Sequence, residues 1–110
     1  MLATKINKPN KQIWYLYVLA CKGNKLYTGI TVNLAQRYAQ HLTGKGAAFT
    51  RSNPPLSLLA ASYYPCRSTA TKAEIAFKKL RKAKKVEQLT TWPLQQEELT
   101  SLLIEANKKD

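Results

Sequence analysis

The sequence predicts an α+β domain: a small three-stranded antiparallel sheet with helices packed on it, in the order β-β-α-β-α, followed by a C-terminal helix. Three observations carry this expectation. Two apolar, aromatic runs flank a Lys22-Gly23-Asn24 turn. A helical apolar period begins at Asn33. A third apolar run, Leu56 to Tyr64, separates that helix from a second helical stretch.

Residues Gln12 to Cys21 (QIWYLYVLAC) read as a strand buried on at least one side. Lys25 to Gly29 reads as its return strand, closing a hairpin. Asn33 to Leu42 places Leu34, Tyr38 and Leu42 on one helical face, with Asn33 as N-cap and Gln36 in capping-box position. Gly44 and Gly46 end this helix and start a loop running through Pro54-Pro55. Leu56 to Tyr64 (LSLLAASYY) is the third strand. Thr69 to Lys85 is the second helix, with Ala73, Ala76, Phe77, Leu80 and Ala83 inward. Pro93 suits the first turn of a last helix that turns Leu99, Leu102, Leu103 and Ala106 inward. Its acids, Glu97 and Glu98, lie toward its start and Lys108 and Lys109 beyond its end, as the helix dipole favours.

A chain of 110 residues suits one domain. Cys21 and Cys66 match no zinc spacing and read as reduced thiols, with a disulfide as the less expected alternative. The polar, basic start lacks the apolar stretch of a signal peptide, and no run approaches the roughly 20 apolar residues of a membrane span. The expected location is the cytoplasm.

Charge narrows the function. Eighteen Lys and Arg face six Asp and Glu, for a net +12. No acid precedes Glu74, while ten basic residues do. Such a surface attracts polyanions, and nucleic acid is the expected one. Catalysis by paired carboxylates is excluded before Glu74, no acid is available near the hairpin for a Ser-His-Asp triad, and no GxxxxGK[ST] phosphate loop occurs. What remains is a tyrosine-rich hairpin, a helix carrying Arg37 and the single histidine, His41, and the acid Glu74. Arg37 and His41, four apart, project from one face. One carboxylate at Glu74 could hold one hard cation, Mg²⁺ or Mn²⁺, with waters and a substrate phosphate completing its shell. An arginine could clamp that phosphate as charge builds in the transition state.

These residues form a pattern. Tyr15-Leu16-Tyr17, followed by Tyr27-Thr28-Gly29, resembles the GIY…YIG motif pair on a hairpin. The stretch GITVNLAQRYAQHLTGKG is similar to the helix and loop after it, and KAEIAFKKL to the later helix bearing a metal glutamate. From about Trp14 to Leu89 the chain resembles the GIY-YIG nuclease superfamily, in its small single-domain bacterial YhbQ-like branch. The first triplet departs from the motif, with tyrosine and leucine in place of glycine and isoleucine, a change that touches hairpin packing rather than the phenol. The resemblance implies a GIY-YIG catalytic domain over 13–90; a polar basic segment over 1–12 precedes it, and a helical extension over 91–110 lies outside the resemblance. That extension either covers the back of the sheet or forms a dimer contact. The resemblance further implies that Tyr17 is the general base toward the attacking water, Tyr27 shapes the site, Gly29 permits close backbone approach and Arg37 binds the scissile phosphate. His41 would orient or assist a tyrosine, and Glu74 would ligate one divalent ion.

Taken singly, most of these residues have ordinary explanations. Tyrosines pack hairpins, and Glu74 and Lys78 are spaced for a helical ion pair. Lys45, Arg51 and Arg67 read as phosphate-tracking charges. The run from Lys78 to Lys85 (KKLRKAKK) is either a solvated face or a stripe that follows a nucleic-acid backbone. Phe49, Tyr63 and Tyr64 are base-stacking candidates, with core packing expected for at least two of them. The combination points to phosphodiester hydrolysis; the resemblance implies a metal-dependent endonuclease acting on DNA, with single-stranded or branched DNA as candidate substrates and repair or recombination as its setting. The alternatives are a nucleic-acid-binding module with weak or lost catalysis and an rRNA-associated protein. One chemical difficulty stands out: free tyrosine has a pKa near ~10, so Tyr17 needs help to act as a base, from charges that favour the phenolate or from a group that takes its proton.

Overall fold

The structure, a computed structural model, describes residues 12–107. All but one residue of the 1–12 segment, together with Lys108 and Lys109, lies outside them, as does the side chain of Ala106. The first strand, β1 (Trp14–Cys21), pairs antiparallel with β2 (Lys25–Thr31) on one side and with β3 (Pro55–Tyr64) on the other. The hairpin turn needs left-handed backbone at two positions, φ +81° at Gly23 and +61° at Asn24. Glycine and asparagine are the residues that accept it most readily. The sheet has four strands, not three, in the order β2-β1-β3-β4. The added strand, β4 (Leu94–Gln95), pairs with Ala60 and Ala61. Two residues carry no legible period, so this edge arises from tertiary pairing alone.

Alternation along β1 sends Tyr17, Leu19 and Cys21 to one face and Val18 to the other. Val18 and Leu19 are both fully buried, each contributing about 1.5–3 kcal/mol, so β1 is the spine of both cores. The Tyr17 face is covered by α1 (Leu34–Leu42) through Leu34 and Tyr38, and by α5 (Gln96–Asn107) through Leu99 and Leu103. The C-terminal helix therefore covers a sheet face. The Val18 face is covered by α3 (Arg67–Lys78) through Phe77, by α4 (Lys82–Leu89) through Leu89, and by Leu80 from the turn between them. Cys21 is buried, and the two cysteines form no disulfide. No helix among the described residues is long and apolar enough to cross a membrane.

Several local expectations are corrected. The stretch from Thr69 to Lys85 is two helices, interrupted at Lys79 to Arg81. Lys79 and Leu80 close the first by bonding carbonyls three residues back, and Arg81 is extended. A continuous helix would have stacked like charges at Lys78 and Lys82 and at Arg81 and Lys85, which is unfavourable. The break instead brings Leu89 into the core and leaves Ala76 and Ala83 exposed. Leu42 is exposed because His41 takes the inward position one residue earlier. Leu102 is likewise half-exposed. Pro93 precedes β4 and lies outside the last helix. The loop after Gly46 contains a short helix, α2 (Ala48–Ser52), too short and uncapped to show a period.

Candidate active site

Helix α1 begins where expected. Asn33 Oδ1 accepts from the Gln36 backbone N–H at 3.0 Å. The other half of the box is replaced: the Asn33 N–H donates to Thr31 Oγ1 at 3.1 Å. The helix is thereby anchored to the end of β2, which brings Arg37 and His41 over the hairpin.

The Tyr17 side chain lies across its register partner Gly29. A Cβ on Gly29 would stand 2.6 Å from Oη and 2.8 Å from Cζ of Tyr17, so only glycine leaves room for the phenol. The Tyr17 hydroxyl is 2.8 Å from His41 Nε2. On the other side of the ring, His41 Nδ1 is 2.9 Å from Thr50 Oγ1, and that hydroxyl donates to the Ala47 carbonyl at 2.9 Å. His41 and Thr50 are each 1% exposed and Tyr17 2%. A buried polar group without a partner costs about 1–3 kcal/mol; this chain satisfies all three side chains. Gly46 serves His41 as Gly29 serves Tyr17, since any Cβ there would run into the imidazole. Tyr27 meets the His41 ring edge-on at 5.0 Å and stacks on Phe49 at 5.8 Å.

Burial and the Arg37 charge push the His41 pKa down to about 4, so the imidazole is neutral at physiological pH. Burial and the neighbouring Tyr27 push Tyr17 up to about 12, against the opposing hydrogen bond and charge of Arg37. The Arg37 guanidinium also donates to Gln40 Oε1 at 2.9 Å. Tyr17 is thus a protonated phenol facing a neutral imidazole, beside a cation.

Glu74 stands on α3, the helix of the opposite face, which packs against β1 and the edge strand β2. Its charge is felt at Tyr17. It is mostly buried and pairs with Lys78 at 3.0 Å. Among the described residues no group of three His, Cys, Asp or Glu could hold a metal. A single carboxylate still suits a hard ion that keeps its waters and takes substrate oxygens as further ligands. A half-exposed helical ion pair contributes only about 0–1 kcal/mol, so Lys78 is a weak competitor for that carboxylate.

The fold therefore gathers Tyr17, Tyr27, Arg37 and His41 in one cluster within electrostatic reach of Glu74. The expected phosphate-tracking residues are more dispersed. Lys45 is exposed, and Arg51 donates to the Gly46 carbonyl at 3.4 Å, both on the segment that follows His41. Lys78 lines a shallow groove with Leu26, Tyr27, Thr28, Phe49 and Lys85. Arg67 is engaged elsewhere, its guanidinium 5.4 Å over the Trp14 ring. Of the base-stacking candidates, Phe49 borders the site and is 38% exposed. Thr50 was not legible as a site residue. The nearest sequence signal is Gly46, a glycine shortly after the only histidine.

Residues 13–87, more than half of the chain, match the GIY-YIG catalytic domain family. A UPF0213 protein of Cupriavidus pinatubonensis is 51% identical over 73 residues, covering 66% of this chain and 81% of the relative. The UPF0213 protein YhbQ of Salmonella arizonae is 46% identical over 90 residues, covering 82% of this chain and 86% of the relative. A UPF0213 protein of Bacillus halodurans, solved by NMR in solution, is 36% identical with a TM-score of 0.49, over 84% of this chain and 97% of the other. The matched domain is a nuclease domain, which implies a nucleic-acid substrate, and such nucleases generally use divalent metal ions.

Proposed function

Because the chain belongs to the GIY-YIG family, we propose that it is a divalent-metal-dependent endonuclease that hydrolyses phosphodiester bonds in DNA, with single-stranded or branched DNA favoured and repair or recombination as its setting. The observation that carries this reading is the buried hydrogen bond between Tyr17 and a neutral His41, made beside Arg37. A phenol with a pKa near 12 supplies almost no phenolate at neutral pH. A phenol that hands on its proton as it receives one needs none.

In the proposed reaction Arg37 binds the scissile phosphate, as guanidinium geometry favours. A water proton passes to Tyr17 Oη while the Tyr17 proton passes to His41 Nε2. The water oxygen bonds to phosphorus, the bond from phosphorus to the leaving oxygen breaks, and that oxygen takes a proton from solvent. His41 then returns its proton to solvent through Tyr17. Glu74 would hold one Mg²⁺ or Mn²⁺, which when bound neutralises charge on the phosphate oxygens. Substrate binding also tunes the base. The positive charge of Arg37 is one cause of the low His41 pKa, so a phosphate on Arg37 raises it. Lys45, Arg51 and Lys78 would follow the flanking backbone, with Arg67 more distant, and Phe49 would offer a face to an unpaired base.

The test is cleavage of labelled single-stranded, duplex and branched DNA, and of RNA, with Mn²⁺ by the wild type and Glu74→Ala. Metal-dependent cutting of DNA that the variant loses is the expected result. Binding without cutting on every substrate would assign the chain to the nucleic-acid-binding modules instead.

A further inference from the structure

We propose that Thr50 is a positioning residue: its hydroxyl fixes His41 as the Nδ1–H tautomer and so keeps Nε2 open to receive the Tyr17 proton. This inference rests on the roles given to Tyr17 and His41 above.

A hydroxyl carries one proton, and a neutral imidazole carries one N–H. The Thr50 proton goes to the Ala47 carbonyl at 2.9 Å. Toward His41 Nδ1, 2.9 Å away, Thr50 Oγ1 can then only accept, so Nδ1 bears the hydrogen. Nε2 is left with a lone pair, 2.8 Å from Tyr17 Oη. The other end of the chain agrees. The Arg37 charge acts on the Tyr17 hydroxyl, and guanidinium cannot accept a proton, so the phenol proton has His41 Nε2 as its acceptor. The direction runs from Tyr17 to His41, from His41 to Thr50 and from Thr50 to Ala47. The reversed tautomer would place an N–H against Tyr17 and leave no base in contact with it.

Two structural details make Thr50 a dedicated part of this chain. It is 1% exposed, within a helix of one turn. Gly46, at the start of the same segment, has no room for a side chain beside His41. The segment from Gly46 to Thr50 therefore closes over the Nδ1 side of the ring.

His41 is the only histidine, so in tag-free protein its two ring nitrogens give one unambiguous set of long-range ¹H–¹⁵N correlations. The expected spectrum shows a protonated, pyrrole-like Nδ1 and a bare, pyridine-like Nε2 in wild type and in Thr50→Ser. Thr50→Val keeps the shape but removes the acceptor, and its imidazole should move to the Nε2–H form. In single-turnover cleavage Thr50→Val should lose about tenfold or more in rate, with substrate affinity unchanged, while Thr50→Ser retains most of it. An Nε2–H imidazole in wild type overturns the proposal, as does a Thr50→Val spectrum identical to wild type. Should Thr50→Val fail to fold, the wild-type and Thr50→Ser spectra decide. The spectra require no activity, so a failure of the nuclease reading on every substrate would be seen separately from a failure of this one.

Discussion

His41 is where the charge and geometry of this protein are most closely joined. An exposed histidine ionises near ~6.5; this one is held neutral down to about 4 by burial first and by Arg37 second. If His41 is the final proton acceptor, the pH dependence of kcat/KM, which reports the free enzyme, has its acid limb near 4. If Arg37 binds the phosphate, the acid limb of kcat lies at higher pH, because its charge is then neutralised. Stability follows the same sign. The unfolded chain takes up the His41 proton as pH falls through ~6.5, and the folded chain only near 4. This contribution is complete above the unfolded pKa and is lost as pH falls toward the folded one. Thermal melts should therefore show Tm falling between those values, and less so in His41→Gln. At this scale the sequence was informative about residue types and silent about environment. Tyr17, Tyr27, Arg37 and His41 could be singled out by type and order. That His41 is fully buried, and that Thr50 is its partner, depends on a segment whose path has no period to read.

At the scale of elements, the hairpin and α1 were the most legible, because each has a local chemical signature. Gly23 and Asn24 encode the turn, and Asn33 encodes the start of the helix. The cap does more than stabilise. With Thr31 Oγ1 holding the Asn33 N–H, it ties the helix that bears Arg37 and His41 to the strand that bears Tyr27 and Gly29. Asn33→Ala should lower stability by about 0.5–2 kcal/mol, measured by urea unfolding, and Asn33→Asp should restore most of it. The break at Lys79 to Arg81, the two-residue β4 and the one-turn α2 were not legible. Each is decided by what packs against it: Leu80 and Leu89 entering the core on the Val18 face, Ala60 and Ala61 accepting an extra strand, and Phe49 and Thr50 meeting Tyr27 and His41.

At the scale of the whole molecule, a net charge of +12 with no acid before Glu74 is the dominant property. It was legible in full from composition, since charge distribution along the chain needs no fold to be counted. If Lys45 and Arg51 follow a nucleic-acid backbone, log K for binding falls linearly with log salt, and removing either charge reduces the slope by about one unit. Fluorescence anisotropy of a labelled oligonucleotide between low and physiological salt measures this. A slope unchanged in both variants would place the backbone elsewhere on the surface.

In the proposed reaction Tyr17 relays a proton to His41 while Glu74 holds the metal ion. The most direct test is single-turnover cleavage with Mn²⁺ by wild type, Tyr17→Phe and Glu74→Ala, with anisotropy on the same substrate. Each variant should still bind the substrate and lose cleavage by about 10²–10⁴-fold. Cleavage by Tyr17→Phe at the wild-type rate would contradict the account, because the hydroxyl that it places between water and His41 would then be dispensable.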